Sequence, residues 1–173
     1  NSITCTDASE QGGAVCVARE LTTQGLETLL KVLSPIVGLF AGRLILVEVY
    51  AGIGGARRAL EMLGVTPVLY YAIAIAEAAC NVLAHRYPEV ILLGNVLTVT
   101  AADFVRSASV AAQAKVALVF GGSPCPGFCA WNPFKKHHED EAPQLMEQLP
   151  RVKREVEKAF PHCLTHCCEE NVA

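Results

Sequence analysis

The chain has 173 residues, a net charge of −3, and 52% hydrophobic against 18% charged residues. That composition suits one domain with a buried core and excludes a disordered chain or a disulfide-stapled mini-protein. The acidic balance also lacks the basic footprint of a stand-alone nucleic-acid binder, so DNA would be held weakly by this chain alone.

Residues 1–20, small and polar with Gly12 and Gly13, read as a loose lead-in, and no charged-then-apolar opening marks a secretory signal. Leu26, Leu29, Leu30, Leu33 and Val37 follow helical spacing, which predicts a helix from about Thr23 until Pro35 disturbs it. The apolar run Val32–Gly42 contains Pro35 and stops at Arg43, so it is too short and too interrupted to span a bilayer. Residues 1–43 are thus an expected lead-in and helix, with the main domain over 44–173.

The period then changes. Leu44–Tyr50 is a short β-branched apolar run, and Ala51-Gly52-Ile53-Gly54-Gly55 follows at once. A helical pattern comes next, with Ala56, Ala59, Leu60 and Leu63 on one face and Arg57 and Arg58 expected in solvent. Gly64 stops it. Val68–Ile73 reads as a second strand. Glu77–Arg86 reads as a helix with Ala79, Val82 and Leu83 inward, closed by Pro88. Val90–Leu93 reads as a third strand. Thr100 with Asp103 forms a capping-box pattern for a helix to about Gln113. Val116–Phe120 is a fourth strand of the fully buried type, and Gly121–Pro133 is a loop. Leu145, Leu149, Val152 and Val156 mark a helix that starts or kinks at Pro150. His162–Cys168 is a fifth strand. Strands alternating with helices predict an α/β fold with a mostly parallel, doubly wound sheet. Leu44–Tyr50 should be its central strand, with the Gly-rich turn and the Cys125 loop at one edge.

Two features sit where α/β ligands bind, at the carboxyl ends of strands. Glycines in the turn admit close approach of a ligand, and the helix start offers free N–H groups. Alone, such a turn fits a tight β–α connection as well as a nucleoside site. The second feature is Gly121-Gly122-Ser123-Pro124-Cys125-Pro126, a proline-flanked cysteine on a stiff loop after a buried strand. The eight cysteines otherwise read as free thiols in a reducing compartment. Glu169-Glu170-Asn171-Val172 ends the fifth strand, and by itself reads as a solvated acidic turn.

Together these segments resemble the DNA cytosine-5 methyltransferases. Val47–Leu60 is similar to that family's cofactor motif. Ala79-Cys80-Asn81-Val82 through His85-Arg86-Tyr87-Pro88 is similar to the helix after its second strand, and Gly94-Asn95-Val96 to its Gly-Asp-Val/Ile turn. Gly122-Ser123-Pro124-Cys125 matches its Pro-Cys nucleophile motif, and Glu170-Asn171-Val172 its Glu-Asn-Val motif. Asn132-Pro133 looks like the eukaryotic de novo-type branch. The resemblance covers about Leu44 to Val172. It implies a Rossmann-like S-adenosylmethionine-dependent methyltransferase fold, with 44–173 a partial catalytic domain that lacks its C-terminal strands.

The resemblance implies that S-adenosylmethionine is the cofactor and DNA containing cytosine the substrate. Cys125 would be the thiolate that adds to C6, and Glu170 the acid at N3. Glu48, Tyr50, Ala51, Gly52, Ile53, Gly54, Gly55, Asn95, Val96 and Pro124 would form the cofactor site. The target base would be flipped out of the duplex. The setting would be the nucleus in a eukaryote, or the cytoplasm in a bacterium.

Ala74 falls where the family places the acid that holds the ribose hydroxyls, with Glu77 three residues later. Losing two charge-assisted hydrogen bonds there costs on the order of 2–4 kcal/mol of cofactor affinity. Asn95 stands for the usual Asp, and Glu48 for Asp in the first motif. The family's Gln-x-Arg-x-Arg strand, target-recognition region and closing segment do not occur up to Ala173, so a further stretch of chain or a partner polypeptide is expected to supply them. Two other readings stay open: a non-catalytic methyltransferase-like module that assists a partner, and an RNA cytosine-5 methylase of the same fold.

His162, Cys163, His166, Cys167 and Cys168 suggest zinc by count. On one strand, however, that spacing sends side chains to both faces of a sheet, so no metal is expected. Lys135 and Lys136, beside the cysteine loop, fit phosphate contact as well as a solvated loop. Arg151 to Lys158 read as the outer, solvated face of a helix.

Overall fold

The computed structural model describes residues 3–9, 12–18, 40, 42–104, 108–122, 144–145 and 147–170. The chain divides into two compact units, Asn1–Gly38 and Leu39–Ala173.

In the first unit, β1 (Ile3–Ser9) pairs antiparallel with β2 (Gly12–Ala18), with Ser9 opposite Gly12 and Cys5 opposite Cys16. This corrects the expected loose lead-in. Ile3, Thr4, Thr6, Val15 and Val17 are β-branched and favour extended backbone, a signal that the polar composition hid. The helix expected from Thr23 to Pro35 lies outside the described residues.

The second unit is built on five parallel strands: β3 (Leu44–Val49), β4 (Leu69–Ile73), β5 (Ile91–Leu92), β6 (Val116–Gly122) and β7 (Leu164–Glu170). Their spatial order is β5-β4-β3-β6-β7. All six residues of β3 are buried, as a strand with neighbours on both edges and layers on both faces requires. The expected central position of this strand is the one observed.

Alternation sorts the core into two layers. Ile45, Val47 and Val49 join Tyr71, Val119 and the residues of three helices: α3 (Ala101–Phe104), α4 (Ala108–Ala111) and α5 (Gln148–Ala159). Leu46 on the other face joins Tyr70 and Ala72. There they meet Ala56 of α1 (Gly55–Met62), Leu83 of α2 (Glu77–Arg86), and Tyr87 just beyond it. Leu149, Val152 and Val156 are buried as their spacing predicted, and Pro150 sits harmlessly in the first turn of α5. The Thr100–Asp103 box forms, with the Thr100 N–H and hydroxyl donating to Oδ2 of Asp103 at 2.9 and 3.0 Å.

Two helix faces differ from expectation. In α1, Ala59 and Leu63 are exposed while Arg57 is buried, at 6% exposure. The Arg57 guanidinium lies 4.8 Å from the centre of the Tyr87 ring and its Nη2 pairs with Glu89 at 3.1 Å, while its Nε and Nη1 are buried without a hydrogen-bond partner among the described residues. In α2 only Leu83 is buried; Val82 is exposed and Ala79 half-buried. Arg151 likewise departs from the expected solvated face. It donates to the carbonyls of Val96 and Val99 and so ties α5 to the short 3₁₀ turn Val96–Thr98.

Candidate functional site

Parallel strands put their carboxyl ends at one edge, which is where α/β folds hold ligands. At that edge Val49 of β3 pairs with Gly121 of β6, and Gly122 pairs with Glu170 of β7. The Gly-rich turn leaves β3 at this point. The segment leading to Cys125 leaves β6 beside it. Pro124, Cys125, Asn171 and Val172 lie outside the described residues, and Glu170 is described as the last position of β7.

The turn is held from below by Glu48, which is 3% exposed. Its Oε1 accepts from the Ala56 N–H at 2.8 Å. Its Oε2 accepts from the Arg57 N–H at 3.4 Å and from the Tyr70 hydroxyl at 2.8 Å. A carboxylate is thus the cap of α1, whose N-cap residue Gly54 has no side chain to do it. Glu48 was expected among the cofactor contacts; its oxygens are engaged within the protein. Gly54 adopts φ +89°, and a Cβ there would stand 2.8 Å from Leu83 Cδ2 and 3.2 Å from the Tyr70 hydroxyl. By contrast, Gly52, Ile53 and Gly55 are exposed and leave the surface of the turn open.

Burial pushes the Glu48 carboxyl above its ordinary value of 4.5, and the hydrogen bonds from Ala56, Tyr70 and Arg57 pull it part of the way back. The folded chain therefore holds this proton more tightly than the unfolded chain does. The stability that Glu48 contributes is greatest below pH 4.5 and declines as pH rises through its folded value. Glu48→Gln is expected to flatten the stability curve over that window, read by urea unfolding at a series of pH values. An unaltered slope in the variant would assign the titration to another group.

Tyr50 is half-buried at φ +58°, a costly conformation for a side chain of this size. Its hydroxyl donates to the Leu145 carbonyl at 2.5 Å and so fastens the turn to the segment before α5. Burial pushes its pKa up to about 12, with Arg151 lowering it and Glu169 raising it. Ala51 is buried, and its N–H donates to the Ile73 carbonyl at 3.1 Å. After β5, Asn95 is exposed and its side-chain oxygen accepts from the Leu97 N–H at 3.0 Å, capping the 3₁₀ turn; Val96 is buried.

The sequence reading did not single out Ile75 and Leu97. Together with Ile53 they stand just beyond the ends of β4, β5 and β3, and are 78%, 56% and 66% exposed. Ile75 lies two residues past β4 and Leu97 within the 3₁₀ turn after β5, and neither belongs to a periodic stripe that would mark it in the sequence. Ala74 follows β4 half-buried, with its carbonyl accepting from the Cys80 thiol at 3.5 Å, and Glu77 is exposed in the first turn of α2.

Burial pushes the thiols of Cys163 and Cys167 up, so neither is an activated nucleophile. Among the described residues no three His, Cys, Asp or Glu side chains converge as a metal site would need. No described helix is long and apolar enough to cross a membrane.

These features define an α/β protein with a five-stranded, all-parallel sheet compatible with a Rossmann-like fold, and a Gly-rich turn at its ligand edge. No model of a known protein family matches the chain, and no curated protein does so either.

Proposed function

We propose that this chain carries the cofactor and nucleophile portion of a DNA cytosine-5 methyltransferase with the fold of S-adenosylmethionine-dependent enzymes. The observation that supports this most is the adjacency of the β3 and β6 ends, where Val49 pairs with Gly121. A Gly-rich turn follows one strand and the Gly-Ser-Pro-Cys segment the other, so a cofactor and a thiol would meet at one edge. Exposed Ile53, Ile75 and Leu97 suit the apolar faces of a purine nucleoside. Gly52 and Gly55 leave room for it, and by the resemblance Asn95 and Val96 would belong to the base end of the site.

S-adenosylmethionine, when bound, supplies an electrophilic methyl group. Cys125 adds through its thiolate to C6 of a flipped cytosine, which makes C5 nucleophilic. Glu170 holds a proton at N3 and so stabilises the charge that addition places on the ring. Its backbone lies in register with Gly122, three residues before Cys125. C5 would then take the methyl group with release of S-adenosylhomocysteine, and loss of the C5 proton to a base reforms the C5–C6 double bond and expels the Cys125 thiolate.

Ala74 favours a second reading, a methyltransferase-like module that assists a partner, because an apolar side chain stands where an acid would hold the ribose. Cofactor titration tests both. Weak binding of S-adenosylmethionine by the native chain is expected, and Ala74→Glu should tighten it at least about tenfold. Tight native binding that Ala74→Glu leaves unchanged would misplace the second motif.

A further inference from the structure

We infer that Glu48 sets the ligand class of the Gly-rich turn, making the edge reject phosphate-bearing nucleotides and admit a phosphate-free nucleoside. This deepens the cofactor reading above and rests on it for the nucleoside, though not for the rejection of anions.

A Gly-rich turn that opens a helix ordinarily attracts phosphate, because unpaired N–H groups and the positive end of the helix dipole point at the ligand. In this chain the N–H groups of Ala56 and Arg57 both point at the carboxylate of Glu48. The Tyr70 hydroxyl fixes that carboxylate from a third direction. Above its raised folded pKa the Glu48 carboxyl is ionised and acceptor-only, and its two oxygens then take all three donors. The internal anion therefore occupies the place that a ligand phosphate would take.

Among the described residues, the cations of α1 do not restore an anion site. Arg57 has its Nη2 on Glu89 and its guanidinium against the face of Tyr87, and its Nε and Nη1, without a hydrogen-bond partner among the described residues, are buried too and so turned away from a ligand. Exposed Arg58 pairs with Glu61 at 2.9 Å. The open positions of the turn, Gly52, Ile53 and Gly55, carry no charge. A negative charge buried under the turn is poorly screened by salt, so a phosphate placed above it meets repulsion. A ligand with a net positive charge and no phosphate meets attraction instead.

The test uses adenosine, adenosine diphosphate, S-adenosylmethionine and inorganic pyrophosphate. Each is titrated into the chain and into Glu48→Gln, with Glu48→Ser as a second variant should Gln disturb folding. The native chain is expected to bind adenosine at least about tenfold more tightly than the diphosphate. Glu48→Gln should gain about tenfold or more in pyrophosphate affinity and narrow or reverse the nucleoside preference. The inference is overturned if a folded variant gains no pyrophosphate affinity, or if the native chain binds the diphosphate as tightly as adenosine. A native chain that ignores adenosine and S-adenosylmethionine, while Glu48→Gln still gains pyrophosphate, removes the nucleoside reading and upholds the exclusion of anions by Glu48.

Discussion

DNA carrying 5-fluorocytosine is expected to be captured covalently through Cys125 when the chain is joined to a target-recognition region and given S-adenosylmethionine. Thiolate addition at C6 and methylation at C5 both proceed on that base. Fluorine at C5 cannot leave as a proton does, so elimination stalls and the Cys125–C6 bond persists. Cys125→Ser should yield no trapped complex, because a hydroxyl is a far poorer nucleophile near neutral pH. Cys129→Ser should trap as the native chain does, since Cys129 lies outside the Pro-Cys motif. Glu170→Gln should slow trapping by about 10²-fold or more while leaving cofactor binding intact, because it removes a proton donor at N3. Denaturing gels that separate free from cross-linked DNA read all three variants. Trapping that survives Cys125→Ser and is lost with Cys129→Ser would move the nucleophile. An absence of trapping in the native sequence would favour the non-catalytic module.

Gly54→Ala is expected to be strongly destabilising. Alanine resists φ +89°, and its Cβ would press on Leu83, Tyr70 and Tyr87 within the layer that also holds Glu48. Strain and overpacking together should cost about 2–4 kcal/mol, a fall in Tm of roughly 5–15 °C. Gly55→Ala is the informative partner. It opens α1 with an ordinary φ and nothing within 4 Å of an added Cβ, so stability should hold or rise slightly. If the open face of the turn receives the cofactor, Gly55→Ala should weaken S-adenosylmethionine binding in a chain that melts no lower than the native one. Equal melting of both variants would show that the contacts around Gly54 do not constrain the turn.

The placing of the strands that carry the candidate site was legible in the sequence. The buried run Leu44–Val49, the glycines after it and the run Val116–Phe120 led to a parallel sheet with the turn and the cysteine loop at one edge, and the observed strand order agrees for the strands themselves. The roles within the turn were not legible. Gly54 and Gly55 look alike in sequence, yet one is demanded by the packing of Leu83 and Tyr70 and the other faces open space. The motif position of Glu48 led to an expected ligand contact and gave no sign of the cap it forms on α1, where Ala56, Arg57 and Tyr70 converge on its oxygens.

By itself, the sequence determined the class of fold, the placing of its five parallel strands and the order of its chemical motifs. These follow from local pattern: β-branched runs, helical periodicity and turn residues act over a few neighbouring positions. The tertiary structure alone decided that Arg57 is buried while Ala59 and Val82 are exposed, and that Ile75 and Leu97 stand at the ligand edge. Arg57 is covered by Tyr87 and Glu89, some thirty residues away, which engage the face of its guanidinium and its Nη2 and leave Nε and Nη1 without a partner among the described residues. Whether a polar group can leave water depends on partners supplied by distant segments, and periodicity along a single helix carries no record of them.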